Sequence, residues 1–350
     1  MTRSIFTHIR KWAIVLLCLI IFLVQLIHLC GVAGLPECAN RGLGTPLADN
    51  VTLTNMREIM SNGVKSSLSS PHAELVLGMV LGLNAFKELP TFNDILIRSG
   101  TIHVVVVSGY NINLIFTFLA KLFGSNLKFS TLLLTQFCAV IFAVISGFEP
   151  PVVRALLMVS ILTWGYAFGR RVNVFYVFLV SVLAMLAIQP LYLFSLSFQL
   201  SCLASLGLLI FSTPLSTLIG KYIRSENVFL TSFAETASAQ LFVWPLIAFH
   251  FERVSLLGLL SNTATLWTVP FITIVGALVV VISLIHPVAG RAIGVLIHPF
   301  SSIFITVNTI VAQSGFSEIS VKPGKGFIAC YYILLLLISI LLYFRRAKVT

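Results

Sequence analysis

Arg154 stands one turn inside the apolar run Pro151–Phe168, a stretch that reads as a transmembrane helix. A guanidinium near hydrocarbon costs roughly 2.5–3.5 kcal/mol at a helix centre, and less near an end. A chain keeps such a charge where a cavity, a partner or a polar ligand receives it. Other polar side chains punctuate the apolar runs. The run at 102–122 opens with His103 and is interrupted by Ser108-Gly109-Tyr110-Asn111; Asn113 follows. The run at 194–212 carries Ser195, Ser197, Gln199 and Ser201, with Ser195 and Gln199 on one helix face. The run at 229–251 holds Glu235, Ser238 and Gln240. His250, Glu252 and Arg253 gather beyond it, and Asn262, Thr263 and Thr265 interrupt 255–286. For the amides and hydroxyls two readings stay open, an interhelical hydrogen bond or a side chain lining a hydrated path. Glu235 reads as snorkelling to the inner face or pairing with a cation, and His250, Glu252 and Arg253 as an interfacial charge cluster or as metal or proton-relay residues.

The elements that must position these groups are membrane spans. The chain has 350 residues, 58% hydrophobic and 9% charged, with a mean hydropathy of +1.03. That excludes an ordinary soluble domain. The expected fold is an all-α polytopic membrane protein of about ten helices, with one or two re-entrant or interfacial helices. After Trp12–Cys30 the spans fall at 102–122, 130–148, 152–168, 172–189, 194–212, 229–251, 269–286, 292–313 and 326–344. Residues 1–31 read as a retained N-terminal anchor and 32–70 as a short extracytoplasmic loop region. Residues 71–313 read as the main membrane domain, and 314–350 as a final helix with a cytoplasmic tail. The piece Glu74–Phe86 is too short to span and reads as interfacial or re-entrant. Residues 255–286 read either as a re-entrant half-helix followed by a span, or as one long kinked helix.

The net charge of +11 is assigned mainly to cytoplasmic loops. With the N-terminus inside, most Lys and Arg fall at inner ends, among them Arg170, Arg171 and Arg291, and both termini are expected to be cytoplasmic. The six cysteines form no metal-ligand spacing, although Cys30 and Cys38 can pair if the first loop is extracytoplasmic. P-loop, GxSxG and HExxH patterns are absent. The chain is therefore expected to be no enzyme, with no catalytic residues, no metal and no cofactor.

Five ordered pieces carry a family resemblance. Pro71, Glu74, Gly78 and Gly82 form an acidic, Gly-spaced entry segment. Arg98-Ser99-Gly100-Thr101-Ile102-His103 leads into Val107-Ser108-Gly109. Pro151-Val152-Val153-Arg154-Ala155 opens a helix, and Ser197-Phe198-Gln199-Leu200-Ser201 lies in another. Ala239-Gln240, Pro245, Phe251, Ser255-Leu256 and Asn262 follow. In this order, over about 71–285, they resemble the membrane competence domain of the ComEC family of DNA-uptake proteins. Two departures are local: Tyr110-Asn111 stands where the family commonly has Leu-His, and Pro151 stands where it usually has Ser. The resemblance implies a channel for single-stranded DNA across the cytoplasmic (inner) membrane in natural transformation. Path residues would come from Arg154, Gln199, Ser108, Asn111, His103, Ser197, Gln240 and Asn262. The family's metallo-β-lactamase-like domain has no counterpart in the six residues after Phe344, so nuclease work is expected from a separate chain. Expected partners are single-stranded DNA, the lipid bilayer, separate nuclease, DNA-receptor and ATPase proteins, and further copies of the chain. The competing readings are a secondary transporter of a small anion or metabolite and, behind it, a membrane-embedded enzyme.

Overall fold

In the computed structural model the described residues are 51–106, 108–122, 129–222, 228–314 and 317–349. The expected anchor, the first loop up to residue 50 and the Cys30–Cys38 pairing lie outside them. The chain divides into two compact units. One comprises Gly44–Val172 with Ser255–Ile319. The other comprises Asn173–Val254 with the segment from Ser320 onward.

The first unit begins with α1 (Val51–Ser67), a helix within a segment expected to be loop. A short helix α2 (His72–Val76) runs directly into a π-helical turn, Leu77–Leu81, which ends on left-handed Gly82. All of Leu77–Leu81 is buried, so this segment is a core element. With Phe86, Leu96 and Val105 it packs against Val269, Ile272, Val279 and Phe304 from helices described below. Helix α3 (Pro90–Arg98) starts on proline, whose missing N–H costs nothing at that position.

The expected span at 102–122 is not one helix. Helix α4 stops after Ile102–Val105, Val106 turns extended at φ −70° and ψ 139°, and α5 starts again at Gly109 and runs to Leu122. Helices α6 (Phe129–Ile145) and α7 (Pro150–Ala167) follow. In the same unit, residues Gly258–Ile285 are helical throughout. Helix α11 (Gly258–Thr265) passes through the 3-10 turn Leu266–Thr268 into α12 (Val269–Ile285). Of the two expectations for 255–286, the long continuous helix is the one found. The expected span at 292–313 is instead a pair, α13 (Pro287–Gly294) and α14 (His298–Gln313), bent by 55°. Between them Leu296, Ile297 and His298 donate to the carbonyls three residues back, at 3.0, 3.0 and 3.3 Å, so the α-helical ladder is interrupted just ahead of Pro299.

The second unit is built on the antiparallel partners α9 (Leu196–Tyr222) and α10 (Val228–Phe251), preceded by α8 (Val174–Ile188) and followed by α15 (Lys325–Val349). The Asn173 side chain caps α8 by accepting the Phe175 N–H at 2.9 Å. A methyl group on Gly207 of α9 would collide with the Ser238 carbonyl of α10, so only glycine permits that approach. Strands are limited among the described residues to β1 (Arg253–Ser255) and β2 (Glu318–Ser320).

Among the described residues, three helices are long and apolar enough to cross a membrane: Pro150–Ala167, Leu196–Gly220 and Gly258–Ile285. The bent pair α13–α14 makes a fourth if it is one broken span.

Candidate functional site

The chain break between α4 and α5 is the centre of the polar arrangement in the first unit. It is created by close backbone contact. A methyl group on Gly78 would lie 2.8 Å from the Val105 carbonyl oxygen, so the π turn abuts the end of α4. From the other side of the break, Asn111 reaches the same turn. Its fully buried amide donates through Nδ2 to the Met79 carbonyl at 2.9 Å, and its Oδ1 meets no donor among the described residues. Ser108, half-buried, begins α5 by accepting the Asn111 N–H at 3.1 Å with its carbonyl.

Gly109 then brings α5 onto α7. A methyl group there would lie 2.9 Å from the Ala155 Cβ, 3.2 Å from the Pro151 carbonyl oxygen and 3.8 Å from Nη2 of Arg154. Two segments far apart in sequence, Ser108-Gly109 and Pro151–Ala155, are therefore one contact. The Arg154 side chain is buried, and its Nη1 donates to the Met158 sulfur at 3.3 Å. A thioether is a weak acceptor for a cation. Ile112, Phe142, Ala143, Val152 and Ala155 close the apolar packing around it.

Gly100, in the left-handed region at φ +71°, ties the other end of this motif down. A methyl group on it would lie 2.8 Å from the Ser255 Cβ, and the Ser255 hydroxyl donates to the Arg98 carbonyl at 2.8 Å. His103 is exposed on α4. Asn262 is fully buried on α11, and neither amide atom has a partner among the described residues. Its neighbour Ser261 donates to Asn308 Oδ1 at 2.6 Å. Glu74 is buried, with Oε2 unpartnered among the described residues. Unsatisfied buried polar atoms each cost about 1–3 kcal/mol, so a helical bundle carries them only where something else needs them.

The first unit therefore brings Ser108, Asn111 and Arg154 into one neighbourhood and also contains His103 and Asn262. The second unit holds the rest. Gln199 is buried and donates through Nε2 to the Leu193 carbonyl at 2.8 Å, while Ser197 is exposed on the same helix. Gln240 is half-buried, with Oε1 unpartnered among the described residues.

One residue escaped the sequence reading, which took 32–70 as a loop region: Arg57 on α1. It donates through Nε to the Ile145 carbonyl at 2.7 Å and through Nη2 to the Leu81 carbonyl at 3.2 Å. Burial pulls its guanidinium below the ordinary arginine value, opposed by the nearby Glu149 carboxylate, yet an arginine stays charged. Only Gly147, two residues past the end of α6 and followed by Phe148-Glu149-Pro150-Pro151, signals an unusual junction there.

Long apolar helices that carry a buried arginine, amides and hydroxyls at their breaks define a helical membrane protein with an internal polar site. Residues 79–346 match the Competence protein family, and the chain belongs to it, as a ComEC-family competence protein. ComE operon protein 3 of Bacillus subtilis (strain 168) is 27% identical over 180 residues, covering 50% of this chain and 22% of that relative. The chain thus spans about a fifth of that relative's length. No solved structure matches the chain.

Proposed function

We propose that the chain acts in DNA uptake during competence, as a channel that passes single-stranded DNA through the cytoplasmic membrane. The observation that carries this is the buried Arg154 guanidinium on an apolar, membrane-length helix, packed at the Ser108-Gly109 break of the neighbouring one. A polyanion crossing lipid needs a hydrated, weakly cationic route. One guanidinium meets the phosphates, while Asn, Gln and Ser offer neutral hydrogen bonds that release the strand again. Many strong cations in the path would retain it. Family membership supports the same reading.

In this proposal the chain crosses the inner membrane about ten times, with both termini cytoplasmic. It performs no chemistry of its own. A nuclease, a DNA receptor and an ATPase on other chains supply what it lacks, and several copies assemble around the path.

The test is transformation of a deletion strain complemented with wild type, Arg154→Lys or Arg154→Ala at matched membrane levels. Arg154→Ala is expected to abolish uptake and Arg154→Lys to retain part of it. Normal transformation by a well-expressed Arg154→Ala protein refutes the proposal. Uptake of a small anion into liposomes by the purified chain, with no DNA passage, replaces it with a transporter.

A further inference from the structure

We propose that Arg57 is a positioning residue for this path: its guanidinium clamps two helix C-termini together and so fixes the turn from which the Arg154 helix departs. This rests on the DNA-passage reading above.

The argument starts with the carbonyls that helix ends leave without partners. At the end of α6, the Gly147 N–H bonds the Val144 carbonyl at 3.1 Å and the Phe148 N–H bonds the Ala143 carbonyl at 2.9 Å. With Gly147 at φ +78°, this is a Schellman closure. It leaves the Ile145 carbonyl over, and Arg57 Nε takes it. At the end of the π turn, left-handed Gly82 and the Leu83 N–H both close on the Leu77 carbonyl. The Leu81 carbonyl is left over, and Arg57 Nη2 takes it. One planar fork thus serves two orphan acceptors on two elements. Each is also the negative end of a helix, where a cation is favoured.

Gly147 is built for this cation. A methyl group on it would lie 2.7 Å from Nη2 and 3.1 Å from Nη1 of Arg57. The turn 146–149 matters because it leads directly into α7. Its first residues are Pro150 and Pro151, which have no N–H, and no side chain caps it. Its first backbone bonds run from Val152 and Val153 to the Glu149 carbonyl, at 2.9 and 3.0 Å, immediately before Arg154. The register of Arg154 therefore follows from where Glu149 is placed, and Arg57 places the junction just ahead of it. With Nε and Nη2 committed to carbonyls, Arg57 holds protein rather than phosphate.

The experiment compares Arg57→Gln, Arg57→Lys and Gly147→Ala in the full chain, measuring transformation at matched membrane levels and thermal unfolding in detergent. Lysine keeps the charge but lacks the two-pronged donor. Loss of one charge-assisted clamp corresponds to a drop on the order of tenfold in transformation, expected for Arg57→Gln and Arg57→Lys alike. Gly147→Ala alone, which pushes the fork away from the other side, is expected to show the same loss. Gly147→Ala is also expected to lower the melting temperature less in the Arg57→Gln background than in wild type, because the clash is already gone. Wild-type transformation by Arg57→Lys, or additive melting shifts for the pair, overturns the inference. Normal transformation by Arg154→Ala instead removes the DNA-passage reading, while the Gly147–Arg57 coupling remains measurable.

Discussion

Gly109 and Ala155 touch across two helices so closely that a single added methyl on Gly109 would lie 2.9 Å from the Ala155 Cβ. That contact is what sets the Ser108 end of α5 beside the helix carrying Arg154. Gly109→Ala is expected to cost about 1–3 kcal/mol, because neither backbone can retreat without repacking Val152 and Ile112. Gly109→Leu is expected to cost more, and to lower DNA uptake beyond the drop in protein level. Melting temperature in detergent and transformation per unit of membrane protein check both.

A second pair of contacts repairs a deliberate gap in the other unit. Pro245, inside α10, has no N–H for the Leu241 carbonyl. The Tyr331 hydroxyl of α15 donates to that carbonyl at 2.9 Å, and the Tyr332 hydroxyl donates to the next, Phe242, at 3.0 Å. Tyr331→Phe is expected to destabilise by about 1 kcal/mol, because it leaves a part-buried carbonyl unpaired. Pro245→Ala restores the N–H, so the same Tyr331→Phe change in that background is expected to cost less. Thermal unfolding of the four proteins closes the cycle.

What could be read from the sequence was what local patterning controls. The start of α7 at Pro150-Pro151 and the apolar runs of α8 and α12 are written in consecutive residues. Arg154, Gln199 and Asn262 lie in apolar runs and are buried. The break after Val105 was not legible. Val104–Val107 is uniformly apolar, and the π turn is pressed onto the Val105 carbonyl at Gly78 where the helix stops. Helix α1 was hidden by its polar composition. Arg57 looked like a loop cation because the carbonyls it serves lie 24 and 88 residues away in sequence. Contacts at that separation leave no periodicity to read.

His72, at the first residue of α2, faces α14. Its Nδ1 is 2.8 Å from the Ser301 hydroxyl oxygen and its ring meets that of His298 edge-on at 4.4 Å. Burial, and then the neighbouring His298, push the His72 pKa below the ordinary 6.5, while Glu74 opposes the shift. The folded state therefore favours the neutral ring. Its stabilising contribution is complete above the ordinary value and is lost as pH falls through the window below it. Melting temperature is expected to fall as pH drops from about 7.5 to about 5, and His72→Gln is expected to flatten that slope. An unchanged slope in His72→Gln removes the assignment.

Asn262 separates folding from function most directly. Its amide is fully buried and unpartnered among the described residues, so it contributes nothing to stability through hydrogen bonding. Replacing such a group by an apolar one of similar shape is neutral or stabilising. Asn262→Leu is therefore expected to leave the melting temperature equal or higher. If the amide serves the strand, uptake of DNA falls in the same protein. A variant that is more stable and transforms normally would assign Asn262 to neither role. One that is markedly less stable would show that the amide has a structural partner in the membrane.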